Sequence, residues 1–353
     1  MENKETLEKV LSLISPGTEI RKGIENILSA RTGALILVEE TKNIDKILDG
    51  GFEINCDYNP QKIYELAKMD GAIVLNKNMD KILYANVQLQ ADARYKTRES
   101  GTRHRTAERI AKQTGNMLIA ISERRGKVTI YKEEVRYSLR KINDVINEAN
   151  QAIKTLERYK TVLNKAISNL TIMEYDDLVT LYEVTMILQR FGMLFRIAEE
   201  IQKYILELGI EGRLIKMQLD EILIGVEEEM KDLIKDYQND KKKEEVSKIF
   251  ENITLLTQEE LLEVENIAYN LGYSKDYKSL DNNLIPKGYR LLSKVFKLTS
   301  KNIENVVEEF GQLNNILEAD AEKFAEIKGI GKFKAKSIKN GLSRLKVMTL
   351  LEK

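Results

Sequence analysis

Short apolar runs separated by polar turns dominate the first part of the chain. Residues 33–38 are continuously apolar, which is typical of a buried strand. Two pairs of strand-like segments follow, at 71–75 with 81–88 and at 117–122 with 127–131. Helical segments lie between them. Strands interleaved with helices over about 135 residues predict an α/β domain, a mixed sheet flanked by helices.

From residue 139 onward the apolar positions change their period. They recur at steps of three and four, as at Ile142, Ile146 and Ala149. This spacing places them on one face of an amphipathic helix. Similar patterns continue further along the chain, and no strand pattern follows residue 131. The middle of the chain is therefore predicted to be an all-α spine.

A third unit begins after the break at Pro286 and Gly288. Short helical segments with short connections follow, which predicts a small all-α domain of about 65 residues. The resulting prediction is three domains, at residues 1–138, 139–285 and 286–353.

Composition restricts where the protein acts and which metals it can bind. The start is charged, and no run approaches the roughly 20 apolar residues of a membrane span, so we expect a cytoplasmic protein without a membrane partner. The single cysteine, Cys56, agrees with a reducing compartment. With His104 as the single histidine, zinc sites built from several histidines or cysteines are excluded. A bound metal would be Mg²⁺ or Mn²⁺ on carboxylates and phosphates.

The turn Gly329-Ile330-Gly331 precedes a predicted helix near the end of the chain. Such a turn can present backbone N–H groups to an anion while Ile330 packs inward. Net charge is zero overall, yet residues 328–346 contain seven lysines or arginines and no acid. The alternative interpretation is a helix-ending glycine followed by a solvated basic helix.

The segment Asp70-Gly71-Ala72 marks the change from a predicted helix to a predicted strand. An acid at that position lies at a sheet edge, where ligands bind, and Gly71 permits close backbone approach. Taken alone, the same three residues are also ordinary turn chemistry.

A second candidate segment runs from Ser100 to Thr106 and leads into a helix. It combines a glycine, two threonine hydroxyls and two guanidinium groups near a helix N-terminus. Guanidinium groups pair with phosphate oxygens and free N–H groups bind the remaining ones, so the segment suits a triphosphate. The alternative is an exposed basic loop in which Thr106 caps the helix.

Asp70-Gly71-Ala72, followed about thirty residues later by the run from Gly101 to Thr106, resembles the paired signature of diadenylate cyclases. The whole layout is similar to that of the cyclases that carry a C-terminal helix–hairpin–helix domain. The resemblance implies condensation of two ATP into cyclic di-AMP and pyrophosphate, with Mg²⁺ or Mn²⁺ as cofactor. The basic turn near the end resembles a helix–hairpin–helix motif, which binds DNA phosphates without reading bases. It lacks the spacing of a Walker A loop.

The resemblance also implies roles for individual residues. Asp70 would bind the metal ion and help to activate a ribose 3′-hydroxyl, while the 101–106 segment and Ser122 would hold phosphates. Catalytic roles fall to Asp70, Arg103, His104 and Arg105. ATP contacts fall to Gly71, Ala72, Leu89, Gly101, Thr102, Arg103, His104, Arg105, Thr106 and Ser122. DNA contacts fall to Lys328, Gly329, Ile330, Gly331, Lys332, Lys334 and Lys336.

Cyclic di-AMP is two-fold symmetric, so two ATP sites must face each other for the ring to close. The resemblance implies an octamer, association with the nucleoid, and branched or recombining DNA as a partner that modulates synthesis. In the family, prolines around an arginine tend to occupy a first hairpin turn where this chain has Phe296, Lys297 and Thr299. We interpret this first hairpin as structural.

Two other functions remain open from the residues. The first is a non-enzymatic DNA-junction binding protein whose N-terminal domain senses ATP. The second, a structure-specific nuclease, is disfavoured because no cluster of acids indicates a two-metal site.

Overall fold

The computed structural model describes residues 2–39, 44–242 and 244–351. The chain divides into two compact units, each described separately below. The first comprises Met1–Asn150 and Gln202–Lys216, and the second comprises Gln151–Ile201 and Met217–Lys353. The three domain boundaries expected from the sequence stay a prediction.

A mixed sheet forms the centre of the first unit. Within the described ranges its eight strands run in the order β2-β5-β4-β1-β6-β7-β8, and β3 also pairs with β5. The β1–β4 pair is parallel and the other pairs are antiparallel. The strands are β1 (Ala34–Glu39), β2 (Leu48–Asp49), β3 (Phe52–Asp57), β4 (Ala72–Asn76), β5 (Lys81–Leu89), β6 (Met117–Ser122), β7 (Lys127–Lys132) and β8 (Val135–Ser138).

Helices cover both faces of this sheet. Alternate residues of a strand point to opposite faces, and β1 shows the consequence. Ile36 packs into the core that α1, α2 and α3 share, whereas Leu37 packs into a second core with α4. The predicted α/β fold of this region, a mixed sheet flanked by helices, is confirmed. The helices are α1 (Glu2–Ile14), α2 (Glu19–Ser29), α3 (Pro60–Leu66) and α4 (Thr102–Thr114).

The hydrophobic pattern does not predict three of the strands. The expectation that no strand follows residue 131 is wrong, because β8 forms after a turn at Glu133, whose φ is +52°. Strands β2 and β3 were likewise not predicted. All three lie at the margins of the sheet, and β3 alternates between exposed and half-buried residues. Marginal strands carry polar side chains and lack the buried apolar run that reveals a central strand.

The rest of the chain is helical, as predicted, except for an isolated bridge between Thr180 and Asn283 in the described residues. None of the helices in the described ranges has the length and apolarity needed to cross a membrane. The helices are α5 (Ile142–Tyr175), α6 (Leu181–Leu208), α7 (Arg213–Leu223), α8 (Val226–Tyr237), α9 (Val246–Leu255), α10 (Gln258–Leu262), α11 (Val264–Asn270), α12 (Tyr289–Ser293), α13 (Ser300–Phe310), α14 (Leu313–Glu318), α15 (Ala321–Glu326) and α16 (Lys332–Leu351).

Buried charges attach α12 to the helices before it in the second unit. Asp236 at the end of α8 accepts hydrogen bonds from the backbone N–H groups of Gly288 and Arg290, at 2.7 and 3.1 Å. The Arg290 guanidinium donates to Glu174 of α5, and both side chains are only 1% exposed. Burial, followed by the nearby Glu174 charge, raises the pKa of Asp236 to about 7. The last five helices share one core, and this cluster holds the first of them, α12, against α5 and α8.

Candidate functional site

The N-terminus of α4 is open to a ligand. Its cap residue is Gly101, which provides no side-chain hydrogen bond, and the Arg105 N–H donates to the Gly101 carbonyl at 2.9 Å. The N–H groups of Thr102, Arg103 and His104 therefore precede the first intrahelical bond, and the first turn contains no acid. Such a helix end carries partial positive charge and binds anions.

The N-cap of α4 is Gly101, five residues before the N-cap that the alternative interpretation assumed. Thr106 lies inside the helix and does not cap it. The exposed basic loop capped by Thr106 is therefore wrong in its geometry. Arg103 and His104 belong to the first turn, next to the unpaired N–H groups.

A cleft of about 540 Å³ opens at this helix end. Three arginines and one acid line it, so its net charge is positive, which suits a polyphosphate. Arg31, between α2 and β1, has a φ of +54°, a left-handed conformation that non-glycine residues seldom adopt. The lining residues are Arg31, Gly101, Thr102, Arg103, His104, Ile121, Ser122, Glu123 and Arg124.

The Arg103 side chain is held at the base of this cleft. Its Nη1 donates to the Ile121 carbonyl at 3.3 Å. A Cβ atom at Gly33 would lie 2.1 Å from the same nitrogen and 2.9 Å from Cζ. Gly33 therefore leaves the space that the guanidinium occupies, and no larger residue fits without displacing it.

His104 is kept neutral inside a positive site. Burial foremost, and then the charges of Arg136, Arg103 and Arg125, lower its pKa, while Glu99 acts in the opposite direction. Its Nδ1 is buried without a hydrogen-bond partner in the described residues. A neutral imidazole can donate or accept one hydrogen bond there, so it can serve a bound phosphate or hydroxyl.

Carboxylates fasten the loop before α4 to the sheet and to the helix. Glu99 accepts hydrogen bonds from the Tyr131 hydroxyl at 2.9 Å and from Arg136 Nε at 2.6 Å. Burial opposes ionisation of Glu99, but the bonds from Arg136 and Tyr131 prevail and lower its pKa. Glu108 of α4 accepts from Thr97 of the loop. The start of α4 is thereby positioned before any ligand arrives.

The other signature segment, Asp70-Gly71-Ala72, lies at the same edge of the sheet as the cleft. In the register, Leu35 of β1 stands between Ala72 of β4 and Ala120 of β6, and Ala72 pairs with Val87 of β5. The starts of β1 and β4 therefore meet the ends of β5 and β6. Two strand spacings, roughly 10 Å, separate β4 from β6. Asp70 is exposed at this edge but does not line the cleft.

Gly71 has a structural explanation. Its φ is +85°, and a Cβ atom there would lie 2.8 to 2.9 Å from backbone atoms of Asn86 and Val87. The backbone that approaches this glycine is that of β5. Ala72 is fully buried beneath it.

The structure thus divides the predicted ATP contacts, together with the predicted metal ligand Asp70, into two groups. One group lines the cleft, and the other lies outside it. The cleft group is Gly101, Thr102, Arg103, His104 and Ser122. The residues outside are Asp70, Gly71, Ala72, Leu89, Arg105 and Thr106.

Sequence reasoning missed several residues around the cleft. Gly33 was available as a glycine before a buried strand, but the side chain that it accommodates comes from α4, 70 positions away in the sequence. Arg31 and Arg124 stand in no recognisable motif. The missed residues are Arg31, Gly33, Glu99, Glu123, Arg124, Tyr131 and Arg136.

The described residues contain no group of three or more histidine, cysteine, aspartate or glutamate side chains able to hold a metal ion. Asp70 is a single exposed carboxylate. Mg²⁺ commonly binds through one or two carboxylates together with substrate phosphates. The residues therefore fit an ion that arrives with a nucleotide.

The glycine turn near the end of the chain is fastened to α13. Gly329 has a φ of +84°, and its carbonyl accepts from Asn302 Nδ2 at 3.2 Å, while Asn305 donates to the Lys328 carbonyl at 2.7 Å. Ile330 is 2% exposed and packs inward, as predicted. The turn leads directly into the N-terminus of α16, which is again suited to an anion.

The lysines at this turn differ in their availability. Lys328, Lys332 and Lys336 are exposed. The Lys334 ammonium instead donates to Asn302 Oδ1 at 2.7 Å and to the Gly329 carbonyl at 3.4 Å. Lys334 therefore supports the turn, and its predicted contact with DNA stays a prediction.

Comparison with known proteins covers the whole chain. Residues 21–136 match the family profile described as DisA bacterial checkpoint controller nucleotide-binding, and residues 139–280 match the DisA bacterial checkpoint controller linker region. The DNA integrity scanning protein DisA of Clostridioides difficile (strain 630) is 45% identical over 100% of this chain and 98% of its own. That of Clostridium perfringens (strain SM101 / Type A) is 48% identical over 98% and 97%. That of Fusobacterium nucleatum is 46% identical over 97% of each.

Among solved structures, a double mutant of DacA from Staphylococcus aureus covers 42% of this chain and 95% of its own at 20% identity, with a TM-score of 0.31. This likeness is too slight to carry an argument. The resemblance inferred from the two sequence signatures is confirmed by the full-length relatives.

Proposed function

Because this chain belongs to the DisA bacterial checkpoint controller family, we propose that it condenses two ATP molecules into cyclic di-AMP and two pyrophosphates. The observation that carries the proposal is the uncapped start of α4 in a positively charged cleft. Relatives named as DNA integrity scanning proteins support the same function.

The ATP phosphates bind at the start of α4. The N–H groups of the first turn bind phosphate oxygens, and the Arg103 guanidinium offers its remaining donors. Arg31 and Arg124 add positive charge to the lining of the cleft, and the Ser122 hydroxyl is available as a donor. These groups hold the nucleotide in position more than they perform covalent chemistry, which is what phosphoryl transfer requires.

In the reaction, the 3′-oxygen of one ATP forms a bond to the α-phosphorus of the other. The bond between the α-phosphorus and its bridging oxygen to the β-phosphate breaks, and pyrophosphate leaves. Asp70 assists removal of the 3′-hydroxyl proton. A Mg²⁺ or Mn²⁺ ion held by Asp70 and the substrate phosphates would supply positive charge at the α-phosphate. Because each α-phosphorus is attacked once, each of the two sites releases one proton from a 3′-hydroxyl and one pyrophosphate.

One protomer with one ATP cannot close a two-fold symmetric ring. Two clefts must therefore face each other across a two-fold axis. The exposed position of Asp70, outside the phosphate cleft, is compatible with an acid that acts where two nucleotides meet. We propose that the protein works as an octamer assembled from such facing pairs.

The C-terminal module binds DNA at the nucleoid and modulates synthesis. The turn at Gly329 and Ile330 and the exposed lysines Lys328, Lys332 and Lys336 offer contacts to phosphates. They offer no obvious element for reading bases. We propose branched DNA as the partner, because several modules of one oligomer engage it together.

The direct test is incubation of the full-length protein with ATP and Mg²⁺ or Mn²⁺, followed by quantification of cyclic di-AMP and pyrophosphate. We expect both products in a ratio of one to two. Asp70→Asn should lower synthesis at least about 100-fold and retain ATP binding, since phosphate contacts lie elsewhere. Asp144→Asn, an exposed substitution at the start of α5, serves as the control. ATP binding without any product would favour the alternative, an ATP-sensing DNA-binding protein.

A further inference from the structure

Two large aromatic side chains are exposed at the tips of the C-terminal hairpins. Phe296, in the first hairpin turn, is 78% exposed, and Phe333, in the first turn of α16, is 70% exposed. Neither ring contributes to the core that the last five helices share. Paired exposed aromatics of this size commonly mark a binding surface.

Contacts bring the two hairpin turns onto one face. Lys297 has a φ of +65°, and its Nζ lies 5.1 Å from the Phe296 ring centre and 5.6 Å from the Phe333 ring centre. The two rings therefore flank one ammonium group. Hydrogen bonds from Asn302 and Asn305 of α13 to the glycine turn hold the second hairpin in place. The first hairpin, interpreted from the sequence as structural, thus contributes to the same surface as the glycine turn.

The charge around this aromatic pair indicates its partner. Lys328, Lys332 and Lys336 are exposed beside it, and residues 328–346 contain no acid. Proteins bind unpaired nucleotides on cationic surfaces with exposed aromatic rings, because the cations bind the phosphates and the bases stack on the rings. In an intact duplex the base faces are already stacked and inaccessible.

We propose that Phe296, Lys297 and Phe333 form a base-stacking subsite for unpaired nucleotides at gaps and branch points of DNA. The subsite rests on the proposed DNA-binding function and gives it selectivity. The lysines hold any DNA by its backbone, whereas the two rings add affinity where bases are free to leave the stack.

The experiment uses the full-length protein and fluorescence anisotropy with an intact duplex and with the same duplex carrying a short single-stranded gap. We expect the wild type to bind gapped DNA more tightly. Phe296→Ala and Phe333→Ala should each weaken binding to gapped DNA about tenfold, and binding to intact duplex less than about twofold. Tyr277→Ala, another exposed aromatic at 71%, is the matched control and should change neither affinity.

A base analogue tests the contact directly. We expect 2-aminopurine placed in the gap to lose fluorescence on binding to wild type, and to keep it with the Phe296→Ala/Phe333→Ala double variant. Lys332→Ala distinguishes binding of the DNA backbone from base stacking, because it should weaken binding to both DNAs. If Lys332→Ala does so while the phenylalanine variants bind like wild type, the DNA module stands and the stacking subsite is wrong. Equal losses on both DNAs in the phenylalanine variants would also overturn it. If the wild type binds neither DNA, the proposed DNA function itself fails.

Discussion

Helices α4 and α12 both begin after a glycine, and both carry an arginine as their second residue. At α12 the protein supplies its own anions. The Asp236 carboxylate accepts hydrogen bonds from the first N–H groups, and Glu174 pairs with the Arg290 guanidinium in a fully buried cluster. At α4 the Arg103 guanidinium donates to the backbone carbonyl of Ile121 and borders an open cleft.

The residues at the start of a helix therefore do not determine by themselves whether that helix end stabilises the fold or binds a ligand. The same backbone N–H groups and the same guanidinium stabilise the fold when an internal carboxylate meets them. They form a ligand site when the internal carboxylate is absent. The distinction therefore depends on residues far away in the sequence, such as Asp236 and Glu174 for α12.

The largest expected effect is on the free energy of unfolding, at the buried start of α12. Arg290→Ala should lower the free energy of unfolding by about 3–5 kcal/mol, because it leaves Glu174 buried without its cation. Chemical denaturation measures this loss. Arg103→Ala should lower the same free energy by less than about 0.5 kcal/mol, because that side chain borders solvent.

A double replacement sharpens this prediction. Nε and Nη1 of Arg290 have no hydrogen-bond partner in the described residues, so the buried pair is imperfectly satisfied. Arg290→Met combined with Glu174→Leu should therefore recover part of the stability, because it removes the unpaired charge but leaves the buried Tyr237 hydroxyl without its acceptor. If Arg290→Ala unfolds at the wild-type denaturant concentration, the cluster does not anchor α12.

The next largest effect is on ATP affinity at the open start of α4. Arg103→Ala should weaken ATP binding about 10- to 100-fold, which corresponds to about 1.5–3 kcal/mol for hydrogen bonds to a charged group. Titration calorimetry with a non-hydrolysable ATP analogue measures it. Arg105→Ala should weaken binding less, because Arg105 lies outside the cleft of its own protomer. Equal losses in the two variants would argue that the cleft is not the phosphate site.

The sequence predicted the elements that carry a strong periodic signal. Central strands such as β1 and β6 stand out because both of their faces are buried. The two signature segments were recognised because their residues are contiguous. The cleft at the 101–106 segment was only half predicted, since Arg124, which lines it, and Gly33, which leaves space for Arg103, come from other parts of the chain. Local patterns contain no information on such distant contacts.

Asp70 illustrates the same limit. The resemblance gave it a role beside the phosphate segment, and the strand register brings it to the same sheet edge as Ser122 of the cleft. Sequence spacing could not show that β1 lies between β4, which follows Asp70, and β6, which ends at Ser122. Likewise, nothing in the run Lys332-Phe333-Lys334 distinguishes a lysine that faces solvent from one that supports the turn.

A smaller effect follows from Gly33, which gives Arg103 its space. Gly33→Ala should displace the guanidinium and weaken ATP binding about 3- to 10-fold, and the fold should tolerate it because the two nearest atoms end a flexible side chain and the Ile121 carbonyl oxygen lies further away, at 3.0 Å. Calorimetry in two backgrounds provides the check. In a protein that already carries Arg103→Ala, Gly33→Ala should have almost no further effect on ATP affinity. Full additivity would show that Gly33 acts independently of Arg103.

The smallest effect is a shift in the titration of His104, the single histidine of the chain. Its imidazole signals in an NMR spectrum therefore report on the cleft alone. In the free protein we expect a pKa below the ordinary 6.5, because burial foremost and the neighbouring arginines disfavour the imidazolium. Because this pKa is lowered on folding, its contribution to stability is complete above the unfolded value and is lost as the pH falls through the folded value.

Binding of an ATP analogue should raise the pKa of His104, because phosphate charge stabilises the imidazolium. Arg103→Ala should raise it in the free protein, since one of the positive neighbours is removed. Lys332→Ala, in the other unit, serves as the control and should leave it unchanged. A free-protein pKa at or above 6.5, or a value that the nucleotide fails to move, would mean that His104 does not face the phosphates. The open start of α4 would then lack the neutral imidazole that distinguishes it from the sealed start of α12.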